Sequence, residues 1–304
     1  MKQIMIGNAF QASAIGLGVM RIADLDIARA EAVVCAAVDN GITFIDHADI
    51  YGGGRSESLF GEVLRRNPGL RERITLQDKC GICKGYYDAS CAHILEAVDG
   101  SLKRLGVDYV DALLLHRPDA LMEPEEVAEA FNRLQQAGKV RFFGVSNENA
   151  AQIELLNRYM PGKILINQLQ FGLAHTILVD EGVNVNIHSS HAGVRSGGVL
   201  DYCRLMGITI QAWSPFQYGM FKGPFLGSDK YPELNAAVRE LADQYDVTPE
   251  AIAIAWILRH PAGIQALVGS MNPQRIKAIA AAGDMQLTRQ EWYRLYLAAG
   301  NPLP

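Results

Sequence analysis

The chain has 304 residues, 49% of them hydrophobic, and a formal net charge of −5 at neutral pH. That length exceeds the usual single domain, but α/β barrels run this long as one, and the composition is that of a globular protein with a sizeable core. The acidic balance argues against nucleic acid and anionic membranes as partners; the polar opening MKQIMIGNAF argues against a signal peptide, and the absence of a long apolar run against a membrane span.

In chain order, a first strand is expected at residues 14–18. Short apolar runs that read as buried strands follow at 41–46, 73–79, 109–116, 140–146, 164–168, 208–213 and 264–268, which makes eight. Helices are expected between them. Cys91, Ile94, Leu95, Val98, Leu102 and Leu105 share one helical face, with Asp88 as the expected N-cap and Gly106 as the stop. Pro124 opens another helix, which stops at Gly138. Thr248-Pro249-Glu250 opens a third that Pro261 ends, and Asn272-Pro273 opens the helix after the eighth strand. Thr288 and Glu291 have capping-box spacing at the start of the last helix.

Strand and helix alternating eight times implies parallel strands with crossover helices, in a closed (β/α)₈ barrel or an open doubly wound sheet. Gly16-Leu17-Gly18 lacks the third glycine of a Rossmann fingerprint, since Arg21 stands there. No linker divides the chain, so residues 1–304 are expected to form one domain. Two long loops stand out, after strands 6 and 7. The stretch 173–198 is polar and rich in Gly, Ser, His and Asn; the stretch 217–231 reads as a mobile flap.

Most of the expected strands end in polar residues: Asp46, Lys79, His116, Ser146-Asn147, Gln168, Trp213-Ser214 and, after the eighth, Gly269-Ser270. Taken singly, Asp46 reads equally well as a turn residue, Lys79 as a surface charge and His116 as a satisfied core histidine. As a set they read as a site, because an unpaired buried charge is costly and a closed barrel makes these groups converge at one mouth.

The stretch Phe44-Ile45-Asp46-His47-Ala48-Asp49-Ile50-Tyr51-Gly52 with Ser56-Glu57 resembles a signature of the aldo-keto reductases. Leu114-Leu115-His116-Arg117-Pro118-Asp119, Gly144-Val145-Ser146-Asn147, Asn167-Gln168 and Trp213-Ser214-Pro215 match further elements, so the resemblance runs from Gly16 to about residue 282. The segment Leu287-Thr288-Arg289-Gln290-Glu291-Trp292-Tyr293-Arg294 looks like a bacterial branch of such reductases.

The resemblance implies a single (β/α)₈ barrel that reduces an aldehyde or ketone. Its catalytic tetrad would be Asp46, Tyr51, Lys79 and His116. Tyr51 would be the proton donor, a phenol with an ordinary pKa of about 10 that an adjacent Lys79 lowers, with Asp46 fixing Lys79 and His116 orienting the carbonyl. Ser146, Asn147 and Gln168 would clamp the nicotinamide carboxamide and Trp213 would stack on its ring. Gly18 and Met20 would flank the ribose, and Ser214, Pro215, Phe216, Gly219 and Lys222 the pyrophosphate. Gly269 would lie against the cofactor, and Ser270 and Arg275 would grip the 2′-phosphate, since a guanidinium binds phosphate through two charge-assisted bonds. NADPH is therefore the favoured cofactor. Gly269 and Ile279 stand where many members carry a basic residue and an asparagine, which leaves NADH possible. The expected partner is a small carbonyl substrate; the oligomeric state is not implied. Specificity is expected in the loops at 19–24, 84–88 and 117–121, in the stretch from Leu173 and in the flap. Tyr86, Tyr87, Phe216, Tyr218 and Phe221 are expected to make the pocket partly aromatic.

Two other classes compete. One is a regulatory barrel that binds the cofactor and turns over slowly. The other is a metal-dependent hydrolase using Asp46, His47, Asp49 and His116. Cys80 and Cys83 have metal-like spacing but no second pair, so reduced thiols and no metal are expected. Five cysteines without a secretory signal point to the cytoplasm. His188 and His191, near Asp180 and Glu181, are read as loop or interface packing.

Overall fold

The structure is a computed structural model that describes residues 1–160, 162–188 and 192–303. Eight parallel strands close into a barrel, which settles the choice left by the alternation. They are β1 (Ile15–Gly18), β2 (Phe44–Asp46), β3 (Thr75–Cys80), β4 (Val110–Leu115), β5 (Val140–Ser146), β6 (Ile166–Gln170), β7 (Thr209–Trp213) and β8 (Gln265–Val268). Closure is made by β8 on β1, with Val268 opposite Leu17.

The expected strands are right in place, with ends that shift. The second begins at Phe44 rather than residue 41, because Gly41, at φ +79°, makes the turn out of helix Ile27–Asp39. The third begins after a 3₁₀ turn at Arg71–Arg73. Helix Cys91–Leu105 ends on left-handed Gly106 as expected, but its N-cap is Ser90, not Asp88. The Ser90 hydroxyl accepts from the His93 N–H, while Asp88 accepts from the Ser90 N–H one step earlier. Thr248, Asn272 and Thr288 cap their helices as expected, the last in a capping box with Glu291.

The outward faces of the strands meet the helices in one large apolar core. Inside the barrel, Phe44, Ala112, Leu114, Ile166 and Leu267 fill a smaller one. A β-hairpin of Gln3–Ile6 and Phe10–Ser13 seals its lower end with Ile6 and Ala12. The hairpin is fixed to the start of β7, where the Gly7 N–H donates to Thr209 Oγ1 at 2.8 Å. It was not anticipated from the sequence.

Both long loops are more ordered than expected. The 173–198 stretch contains helix Ile177–Val183, and Glu181 accepts from the Ser196 and Gly198 N–H groups. His188 is exposed, and His191 lies outside the described residues. In the flap, Phe225 is fully buried and Asn235 Nδ2 donates to the carbonyls of Phe225, Ser228 and Tyr231. The second half of the flap is therefore pinned to helix Pro232–Tyr245. Among the described residues no helix is long and apolar enough to cross a membrane.

Candidate active site

Each barrel strand runs upward to the same rim, so the residues at their C-terminal ends share one mouth. A cavity of about 650 Å³ opens there. It is lined by Asp46, Tyr51 and His116, by Gly18 at the end of β1 and Met20 just beyond it, and by Ser146, Asn147 and Gln168 from β5 and β6. Trp213, Ser214, Pro215 and Phe216 follow from β7, and Gly269, Ser270 and Arg275 from beyond β8.

Three of the expected residues are not on its wall. Lys79 lies beneath it, fully buried and ion-paired with Asp46. Gly219 and Lys222 lie aside: Lys222 is exposed and folds back over Gly219. Of the five aromatic residues expected in the pocket, Tyr87, Phe216 and Phe221 line it, whereas Tyr86 and Tyr218 do not. None of the described residues of 173–198 lines the cavity.

The Lys79 ammonium is 5.4 Å from the centre of the Tyr51 ring. That ring meets His116 edge-on, with centroids 5.9 Å apart. Burial works against the charge on Lys79, but Asp46 foremost outweighs it, and the pKa is raised. Burial also pushes the Tyr51 phenol up, and the attraction of Lys79 only partly offsets it. This corrects the expectation of a lowered phenol: at this depth the cost of an unsolvated tyrosinate exceeds what one ammonium, already shared with Asp46, returns. Burial, then Lys79 and Arg117, hold His116 well below the usual histidine range, so its imidazole is neutral.

Asp46 does not act on Lys79 alone. Its Oδ1 also accepts from Gln77 Nε2 at 2.7 Å and Gln168 Nε2 at 3.1 Å. Gln211 Oε1 accepts from both of those amides, its own Nε2 donates to Gln77 and Gln265, and Gln265 donates to the Ser13 carbonyl. A layer of four glutamines thus crosses the barrel below the rim, tying the carboxylate to β3, β6, β7 and β8 and, through Ser13, to the N-terminal hairpin. Sequence reading found Gln168 and missed the other three. The signal was present, since a glutamine inside an otherwise apolar buried strand needs a partner.

On the β5–β7 side, Ser146 Oγ donates to the Gln168 carbonyl at 2.9 Å and Asn147 Nδ2 donates to Ser146 Oγ at 2.8 Å. Asn147 Oδ1 accepts from the Trp213 indole at 3.2 Å. Asn147 and Ser214 both have positive φ, 62° and 49°, conformations that non-glycine residues adopt at a cost, and both stand at strand ends on the cavity.

Residues 14–296 match the Aldo/keto reductase family. The chain belongs to the aldo/keto reductase family. It is 36% identical to the oxidoreductase YcsN of Bacillus subtilis (strain 168) over the whole of both chains. It is 35% identical to a 6-dehydroglucose reductase of Agrobacterium fabrum (strain C58 / ATCC 33970) over 98% of each, and 34% to oxidoreductase YdhF of Escherichia coli (strain K12) over 93% and 92%. Among solved structures, the aldo/keto reductase of Klebsiella pneumoniae in complex with NADP and acetate aligns with a TM-score of 0.79 at 27% identity, covering 100% of this chain and 97% of that one.

The hydrolase alternative loses its ligand set within this aldo/keto reductase. His47 is fully buried away from the cavity, packed edge-on against Phe60 at 4.7 Å, and burial lowers its pKa to about 3. Among the described residues no group of three or more His, Cys, Asp or Glu is placed to hold a metal ion. All five cysteines are free, and Cys83 Sγ lies 3.8 Å from His93 Nε2. Behind β2 and β3, buried Glu57 pairs with Arg104 Nε at 2.6 Å and ties two of the surrounding helices together.

Proposed function

We propose that the protein reduces an aldehyde or ketone to the alcohol with hydride from NADPH, and that Tyr51 supplies the proton. The observation that carries this reading is the arrangement at the rim. A wholly buried ammonium, neutralised by Asp46, stands 5.4 Å from the Tyr51 ring, and a neutral His116 faces the same ring.

The residues suit a nicotinamide dinucleotide by their own chemistry. A carboxamide needs a donor and an acceptor. Among the described residues no hydrogen bond is given to the Gln168 side-chain oxygen, and Asn147 Nδ2 has an N–H beyond the one given to Ser146. Trp213, held by Asn147, offers a flat partner for the ring. Gly18 and Gly269 leave the wall bare: a Cβ there would meet nothing nearer than 3.8 and 3.9 Å. Met20 would flank the ribose, and Ser214, Pro215 and Phe216 would run beside the pyrophosphate. Ser270 and Arg275 would take the 2′-phosphate, with Arg275 exchanging Glu250, now 3.3 Å away, for it. That grip favours NADPH, with NADH as the weaker cofactor.

Bound NADPH supplies the hydride. As negative charge grows on the carbonyl oxygen, neutral His116 orients that oxygen and Tyr51 gives up its proton. Burial keeps the phenol protonated beforehand. Lys79 then stabilises the tyrosinate left behind, and Asp46 keeps Lys79 in place and charged.

The test is NADPH consumption with a panel of aldehydes and ketones. Tyr51→Phe is expected to lose ~10²–10⁴ in kcat with cofactor affinity little changed. Full turnover in that variant, or no consumption with any carbonyl, would overturn the reading.

A further inference from the structure

We infer that Arg117 selects the substrate: the carbonyl compound carries an acidic group, a carboxylate or a phosphate, that this guanidinium binds. The inference rests on the carbonyl reduction proposed above and narrows its substrate class.

Arg117 follows His116 directly at the end of β4 and lines the cavity. It is half-buried, and among the described residues no ion pair and no hydrogen bond engages its side chain; its charge lies 5.6 Å from the centre of the Trp213 ring. The other charged groups on the wall are all engaged. Asp46 is bound to Lys79, Glu250 to Arg275 at 3.3 Å, and Arg21 donates to the Gly269 carbonyl at 3.3 Å. A half-buried cation without a counter-charge is costly to keep, and Arg117 shares its cavity with the apolar side chains of Ile50, Ile82 and Phe216, which lower the local polarity and strengthen an ion pair.

The cofactor does not account for that charge. In a closed ring of eight strands, β4 lies opposite β8. The phosphates are assigned to the side of β7 and β8, where Ser214, Ser270 and Arg275 stand. The Arg117 backbone stands half a barrel from β8, directly after His116, and its guanidinium reaches across the mouth as far as Trp213, which the proposed function assigns to the nicotinamide ring rather than to the phosphates. Five N–H donors in a planar fork match an oxyanion in two-point geometry.

The experiment measures kcat/KM with NADPH for two matched pairs: succinic semialdehyde against butanal, and glyceraldehyde 3-phosphate against glyceraldehyde. Wild-type protein is expected to prefer the acidic member of one pair by about 10- to 100-fold, the range of a hydrogen-bonded charge; the pair with the larger ratio names carboxylate or phosphate. Arg117→Met is expected to collapse that ratio, chiefly through KM. An unchanged ratio in that variant, whatever the fall in absolute rate, would reduce Arg117 to a support for Trp213 and overturn the inference. A second measurement needs no variant: succinate should inhibit wild-type reduction of butanal, and neutral succinamide should not. Equal ratios together with no succinate inhibition would also overturn it. Failure of the wild type on all four compounds would sink the reductase reading itself, a different result.

Discussion

Glu148 shows how far burial moves a single side chain. It follows the cavity residue Asn147, is 2% exposed, and has one carboxylate oxygen without a partner among the described residues. Burial pushes its pKa up to about 7 from the ordinary 4.5. The sign follows from which state holds the proton. Below the ordinary value both states are protonated and the site is neutral in its effect. Between the two values the folded state keeps a proton that the unfolded chain has released, so stability falls as pH rises. Above pH 7 the loss is complete, at about 3 kcal/mol. Glu148→Gln should therefore be more stable than the wild type at pH 8 by clearly more than at pH 5, as read from urea midpoints at the two pH values. Equal differences would mean that the carboxyl finds a partner in solution. His116 works in the opposite direction: its imidazole is neutral well below the usual range, so the reduction rate should show no histidine inflection between pH 5.5 and 8.

At the scale of elements, what could be read from the sequence was what is local. Caps at Thr248, Asn272 and Thr288 and the stop at Gly106 announce themselves within three or four residues, and a buried parallel strand is an uninterrupted apolar run. Motif residues at the strand ends were legible for the same reason, since a charge finishing an apolar run has no structural motive. Elements defined by distant partners were not legible. The N-terminal hairpin is half-exposed and four residues a side, and only the barrel floor gives it a purpose. The glutamine layer joins residues more than one hundred positions apart. The flap read as mobile because its glycines are visible and its anchor, Asn235, is not in it. Asn235→Ala removes four hydrogen bonds to the flap backbone, at Phe225, Gly227, Ser228 and Tyr231. It should lower stability by about 1–3 kcal/mol and speed hydrogen exchange over residues 224–231. It should also raise substrate KM, because Pro224 and Leu226 line the cavity. Unchanged exchange would show that Phe225 alone holds the segment.

For the whole molecule, the barrel separates stability from chemistry along its axis. The floor is apolar, the glutamine layer lies between, and the groups proposed to react stand on the rim. Ile6→Ala deletes a fully buried side chain from the floor. It should cost about 2–5 kcal/mol in thermal or urea unfolding and leave kcat/KM nearly unchanged well below the melting temperature. A matching loss of kcat/KM would mean that the glutamine layer transmits floor packing to Asp46.

Packed side chains and the glutamine layer close the barrel beneath its mouth, so the cavity is a cup. Molecules stacked in a cup cannot pass one another, and the lower one is captive while the upper remains. If the nicotinamide lay against Gln168 and Trp213, as proposed, with the carbonyl compound above it, the dinucleotide would have to arrive first and depart last. Product-inhibition patterns would then be those of a compulsory order, and escape of the spent dinucleotide, rather than bond-making, would be positioned to set the pace of turnover.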